Sequence, residues 1–332
     1  PDKPSNIILL IGDGMGVSQL SSAYYFGEAE PNFSKFPVAG LSRTSSSSHK
    51  ITDSAAGATV FASGIKTYNG AIGVDTDTNA VPNIVEQLSA KGWNTGVIST
   101  SSITHATPAC FYAHVALRSM HEEIARQMVY SDLDFVAGGG YGWFSNRTDS
   151  INYIDSLTAK GFLVDTTSIN AALKADDKPA YLLAADAMPT MIDGRGDFLL
   201  QASKKAIAHL SAKPEPFMLV IEGSQIDWGG HANDADYLIT ELLDFDKTVG
   251  AVFDYAEEQG NTLVIITADH ETGGFTLASK QIKVAGLKSI SDYDSIVPAF
   301  STGGHSATMV PILSFGPGSE KLGGIHQNTH IY

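Results

Sequence analysis

The chain holds a single cysteine, Cys110, in 332 residues. That scarcity excludes an internal disulfide framework and any cysteine-based zinc finger. Arginine is almost as rare, with only positions 43, 118, 126, 147 and 195 occupied, so an arginine beside a motif stands out. Positive charge is short overall: 21 Lys and Arg against 36 Asp and Glu leave a formal net charge of −15. Phosphate backbones are recognised by basic patches, so this balance argues against specific nucleic-acid binding. No apolar run approaches the roughly 20 residues that a membrane span needs. No signal peptide is visible; the opening PDKPSNIILL reads like a mature N-terminus whose export signal could already have been removed, and composition alone leaves the compartment open.

What is present is an ordinary globular composition, 43% hydrophobic with 32 glycines, which excludes intrinsic disorder. Apolar runs of strand length occur at 6–11, 95–100, 134–137, 217–221, 262–267 and 309–315. Helical spacing fills 17–27, 81–91, 121–130, 152–160, 197–212 and 236–258. Continuous apolar strands alternating with amphipathic helices predict an α/β fold with a central, mostly parallel sheet. The stretches 165–196 and 276–300 are polar and break the rhythm, and are expected to be irregular insertions beside the sheet. With no internal repeat and no long linker, residues 1–332 read as one domain.

Polar residues collect where the strands end. Asp13 follows the first strand, His105 and Thr107 the second, Glu222 and Asp227 the run FMLVI, and Asp269 and His270 the run LVIITA. Ligands of open α/β sheets bind beyond these carboxyl ends. Asp227 and His231 lie four residues apart, one helical turn, so both can face one cation. His305 is approached through flexible glycines, and glycines flank Asp13. Glu222 and Thr107 offer the hard oxygens that magnesium prefers. Each residue alone reads as a cap or turn, but the joint pattern of imidazole and carboxylate points to a multinuclear metal site.

The segment 52–59, TDSAAGAT, starts a tightly packed helix with Ser54 near its N-terminus. Free backbone N–H groups there favour an oxyanion or phosphate, although the segment by itself reads first as an ordinary helix cap. Cys110 reads as a small buried apolar side chain rather than a catalytic thiol.

Together GDGMG (12–16), TDSAAGAT (52–59), HATPACFYAHVALR (105–118), EGSQIDWGGH (222–231), TADHETGG (267–274) and the GGH…FGPG of 303–318 resemble the alkaline phosphatases, in order and over nearly the whole chain. The resemblance implies a three-layer α/β/α sandwich and hydrolysis of phosphate monoesters of broad range through a phosphoserine on Ser54. It further implies two zinc ions and one magnesium ion per chain. One zinc would be held by Asp227, His231 and His305, the other by Asp13, Asp269 and His270. Magnesium would be held by Asp13, Thr107 and Glu222. Arg118 would clamp the phosphate oxygens with Asp53 orienting it, as a planar guanidinium fork suits. Some relatives have Asp at the position of His105 and Lys at that of Trp228. These two residues are therefore read as modifiers of magnesium and phosphate binding, with packing at the pocket rim the equal alternative for Trp228. A homodimer and a periplasmic or secreted location are also implied. Phosphodiesterases and mutases on the same scaffold, and a non-catalytic phosphate-binding module, are the competing readings.

Overall fold

A computed structural model describes residues 3–283, 286 and 288–332 of the chain. Its centre is a ten-stranded sheet. Strands β1 (Asn6–Gly12), β2 (Val38–Arg43), β3 (Asn94–Ser102), β4 (Phe135–Gly139) and β5 (Phe162–Asp165) come first in the chain. β6 (Lys178–Leu182), β7 (Phe217–Gly223) and β8 (Thr262–Thr267) follow. The later strands are β9 (Glu271–Thr272), β10 (Thr276–Ile282), β11 (Ile290–Ala299), β12 (His305–Ser306), β13 (Val310–Phe315) and β14 (Gly324–Gln327). The sheet runs β14-β2-β13-β8-β1-β7-β3-β4-β6-β5. All its pairings are parallel except those of β13, which lies antiparallel to both β2 and β8.

The strands are apolar on both faces because helices cover both. On one face Leu9 and Ile11 of β1 pack with Ala58 and Phe61 of α2 (Ser54–Ser63) and with Ile124 and Met128 of a helix at His121–Val129. On the other, Ile8 and Leu10 pack with Leu199 and Ala202 of the helix Phe198–Ser211 and with Leu242 and Val249 of the helix Ala235–Gln259. Successive strand residues point to opposite faces, so one short run feeds two cores and fixes three layers. The first helix of the chain, α1 (Val17–Phe26), lies beside this second core, which takes in Ala23.

The two polar stretches are more regular than expected. β6 lies within 165–196 and takes an internal place in the sheet; its Lys178 and Pro179 precede Ala180, where pairing with β4 begins. A strand can carry a proline where a ladder bond is not needed. Within 276–300, β10 and β11 form an antiparallel hairpin apart from the main sheet, with residues 284, 285 and 287 outside the described residues. The hairpin is largely exposed and buries little apolar surface, so its sequence lacks the apolar signal of a core strand.

Candidate functional site

The parallel strands β1, β7 and β8 end side by side, and the loops beyond them carry most of the polar residues picked out above. Asp13 directly follows β1 and is fully buried. Gly14 next to it adopts φ of 74°, and a Cβ there would stand 2.7 Å from the Asp227 backbone. Only glycine lets the Asp13 loop and the helix that carries Asp227 meet. Gly14 N–H also donates to Asp269 Oδ1 at 3.2 Å. Glu222 is the penultimate residue of β7, opposite Ile11 on one side and Ser99 on the other. Its Oε2 accepts from the hydroxyls of Ser99 at 2.5 Å and Ser224 at 2.6 Å. Asp227 and His231 sit one turn apart on the helix Gln225–Ala232, as their spacing predicts.

Two triads result, each with ligand atoms within 4.8 Å of one another: Asp227, His270 and His305, and Asp13, Asp269 and His270. His231 joins the first, with Nε2 3.1 Å from His305 Nε2 and 3.4 Å from Asp227 Oδ2. His270 stands between the two, its ring stacked on that of His305 at 3.5 Å. Its Nε2 is 3.3 Å from Asp269 Oδ2, 3.6 Å from Asp13 Oδ1 and 3.2 Å from Ser54 Oγ.

Ser54 is the first residue of α2 and is 1% exposed. Asp53 caps the helix through Ala56 N–H, while its other oxygen takes Gly70 N–H at 3.0 Å and Arg118 Nη1 at 3.1 Å. A Cβ at Gly57 would stand 2.9 Å from Asp269 Cβ, so the small residues of TDSAAGAT let the helix end press against the acid cluster. Arg118 Nη2 lies 3.5 Å from His105 Nε2, and the His105 ring meets Trp228 edge-on at 5.7 Å. Thr107 sits buried on a short helical turn at Ala106–Ala109.

Burial pushes Asp13 well above the usual carboxylate range, and Asp269, Asp227 and Glu222 add to the effect. Burial also raises Asp269 and lifts Glu222 to about 7. Burial, with His305 next, lowers His270 to about 3, and burial with Arg118 lowers His105 to about 3. Both oxygens of Asp13, Glu222 Oε1, Asp269 Oδ2 and Thr107 Oγ1 are buried without a hydrogen-bond partner. Buried acids of this kind are stable only when protonated or met by cations. The donor set fits divalent cations: neutral imidazoles with carboxylates on one side, oxygens alone around Thr107 and Glu222 on the other.

Thr272 escaped the sequence reading. Its hydroxyl donates to Asp227 Oδ1 and lies 3.2 Å from His270 Nδ1, so one side chain links both triads. Ser99, which steadies Glu222, was missed too; its partner is 123 residues away and only the sheet register unites them. The remaining histidines are engaged elsewhere: His114 with Glu86, His121 stacked on Trp143, and His209, His326 and His330 with backbone carbonyls. His49 lies against the Ser48 hydroxyl.

A serine at a helix N-terminus, a guanidinium beside it and an acid cluster fitted to cations serve one chemistry together, transfer of a phosphoryl group to a hydroxyl. The chain is a phosphoric ester hydrolase of that class. The family model "Alkaline phosphatase" matches residues 4–297. Alkaline phosphatase 3 of Bacillus subtilis is 31% identical over 99% of this chain and 88% of its own length. The solved alkaline phosphatase of the Antarctic bacterium TAB5 is 52% identical, superposes with a TM-score of 0.96, and is covered over 96% of its length by 99% of this chain. A TAB5 variant in which a histidine is replaced by aspartate, described with Mg bound in the M3 site, matches with a TM-score of 0.97 at the same identity and coverage. The chain belongs to the alkaline phosphatase family, and its reaction is the hydrolysis of phosphate monoesters.

Proposed function

We propose that this hydrolysis runs through a phosphoserine on Ser54, with two zinc ions and one magnesium ion held as the resemblance implies. Asp227, His231 and His305 would hold one zinc, Asp13, Asp269 and His270 the other, and Asp13, Thr107 and Glu222 the magnesium. The observation that carries the reading is the buried Ser54 Oγ, 3.2 Å from His270 Nε2 at the edge of the unpartnered acids. When bound, the cations supply positive charge and Lewis acidity at the phosphoryl group and the attacking oxygen. Ser54 offers its oxygen from a helix terminus whose dipole favours the charge that develops there. Arg118, braced by Asp53, presents its fork to the non-bridging oxygens. The Ser54 oxygen bonds to phosphorus as the ester P–O bond breaks and the alcohol departs with a proton; water then displaces the serine, releasing phosphate. His105, kept neutral by burial, accepts from Arg118 and steadies it. The TAB5 variant described with Mg supports a magnesium site in this family.

Broad substrate range belongs to the same reading, because every assigned side chain faces phosphate or cation and none reads the alcohol. So do a single catalytic domain, a homodimer and a periplasmic or secreted location, which family membership supports. Among the described residues no helix is long and apolar enough to cross a membrane.

The test is acid-quench trapping. Brief incubation with labelled phosphomonoester should leave label on the peptide containing Ser54. Ser54→Ala should abolish the label and lower kcat by about 10³-fold or more, as loss of a nucleophile does, with metal content near normal. Label on another residue, or full activity in the variant, refutes the assignment.

A further inference from the structure

His305 reaches the first triad on an exposed segment tied to one glycine turn: Ser301 and Thr302 N–H donate to the Gly273 carbonyl, and Gly273 N–H donates to the Gly304 carbonyl. Residues 301–303 before it and 307–309 after it are exposed, and β12 and its partner β9 are two residues long each. So short a ribbon is not stable by itself, yet a metal-binding imidazole must be placed to within about 0.2 Å. The ribbon sets His305 opposite Thr272 and Ser306 opposite Glu271.

Glu271 has no part in the mechanism above, but it is 3% exposed. Its carboxylate takes donors from three parts of the chain. Gln19 Nε2 on α1 donates to Oε1 at 2.7 Å, Phe275 N–H donates to the same oxygen at 3.0 Å, and the Ser306 hydroxyl donates to Oε2. Gln19, itself fully buried, also donates to the Thr272 carbonyl at 2.8 Å. A buried carboxylate loses heavily when a donor is removed, so it holds each of them firmly. Ser306 directly follows His305, and its oxygen also takes Thr308 N–H at 3.3 Å, extending the grip to the outer flank. The imidazole is fixed separately, by Nδ1 against the Thr52 carbonyl at 2.9 Å.

We propose that Glu271 is a positioning residue: braced by Gln19, it clamps Ser306 and so presets His305 for its cation. The inference rests on the reading of His305 as a zinc ligand. Glu271 touches neither substrate nor the reacting atoms and acts through Ser306.

The test uses the full chain and the variants Ser306→Ala, Ser306→Thr, Glu271→Gln and His305→Ala. Two quantities are read: hydrogen exchange of 301–309 in protein stripped of metal, and the rate of zinc loss from loaded protein to a chelator. Ser306→Ala and Glu271→Gln should speed exchange of 301–309 and release of one zinc by about tenfold, the scale of a lost hydrogen bond to a charged group. Exchange in β1 and β7 should stay unchanged. Excess zinc should restore kcat in both variants, and Ser306→Thr, which keeps the hydroxyl, should match the parent. If Glu271→Gln fails to fold, Ser306→Ala carries the test alone. Exchange and release within about twofold of the parent overturn the proposal, as does a loss of kcat that excess zinc leaves in place. The His305→Ala variant separates the two layers of argument. If it keeps its full zinc content and parental release rate, the ligand reading fails, while exchange in the stripped protein still decides whether Glu271 clamps the segment.

Discussion

Arg195, Glu241 and Asp244 form one buried set of charges, and the acids at the sheet edge form another; they are satisfied in opposite ways. Arg195 Nη2 lies 2.5 Å from Glu241 and 2.9 Å from Asp244, with each side chain at most 2% exposed. Glu241 also accepts Met191 N–H, and Arg195 donates to the Pro189 carbonyl, so the set pins the 183–196 segment onto the long helix Ala235–Gln259. Its acids meet their donors within the chain. At the sheet edge, Asp13, Glu222 and Asp269 are just as buried, but Arg118 is committed to Asp53 and their inward oxygens have no donor. The difference teaches where buried acids are paired within the chain and where they are left to receive a cation. A closed set offsets its desolvation cost with its own partners and does nothing chemically, whereas an open set is unstable until loaded and concentrates charge where a phosphoryl group can use it.

Stripping divalent cations is the largest lever on this contrast. A chelator should lower phosphomonoesterase activity by on the order of 10³-fold, the loss expected when Lewis-acid stabilisation worth several kcal/mol is removed. It should also lower the melting temperature, because cations bind the folded state only. Zinc and magnesium together should restore both. The check is p-nitrophenyl phosphate hydrolysis with melting curves before and after add-back. A stripped enzyme that keeps a tenth of its rate would break the contrast, since the acids would then need no cation.

The closed set predicts the reverse sensitivity. Arg195→Ala leaves two buried carboxylates without their counter-charge and should cost about 3–5 kcal/mol of stability. Its zinc and magnesium content at saturation should equal that of the parent. Urea unfolding of loaded protein and elemental analysis measure the two quantities. If Arg195→Ala instead loses metal at unchanged stability, the 183–196 segment belongs to the cation site and the two sets are not separate.

How much of this was legible beforehand follows the same division between buried and exposed. β1, β7 and β8 read directly from the sequence because both faces are covered and each carries a continuous apolar run. β2, β5 and β14 did not, since they lie toward the sheet margins with half-exposed residues. The clustering of Asp13, Glu222, Asp227, Asp269 and His270 was legible because each follows a recognisable strand, and strand ends of a parallel sheet share one edge. Glu271 and Thr272 were not, although they lie within TADHETGG. A glutamate and a threonine before two glycines read as turn residues, and what they hold, Ser306 and Asp227, is distant in sequence. Side chains that support others leave no periodicity and no spacing, so only the folded arrangement reveals them.

The smallest effect belongs to a pair between the two extremes, Glu86 and His114. It supplies its own counter-charge, as the Arg195 set does, but it is open to water: Nε2 to Oε1 is 2.9 Å, with the side chains 39% and 17% exposed respectively. Burial pushes Glu86 up, but the His114 hydrogen bond and the Asn83 N–H outweigh it and hold the carboxyl below its ordinary value. Burial pushes His114 down, but the bonds to Glu86 and the Gly73 carbonyl outweigh that and hold the imidazole above its ordinary value. The lowered acid contributes stability above about pH 4.5 that is lost as pH falls through its folded pKa. The raised histidine contributes stability in full below about pH 6.5 that is lost as pH rises through its folded pKa. The pair is therefore strongest between these limits. His114→Gln should cost at most about 1 kcal/mol at pH 5.5, given the exposure, and less at pH 8.5. Urea unfolding of parent and variant at the two pH values measures the difference. An equal cost at both would assign the contact to hydrogen bonding alone and remove charge from this third case.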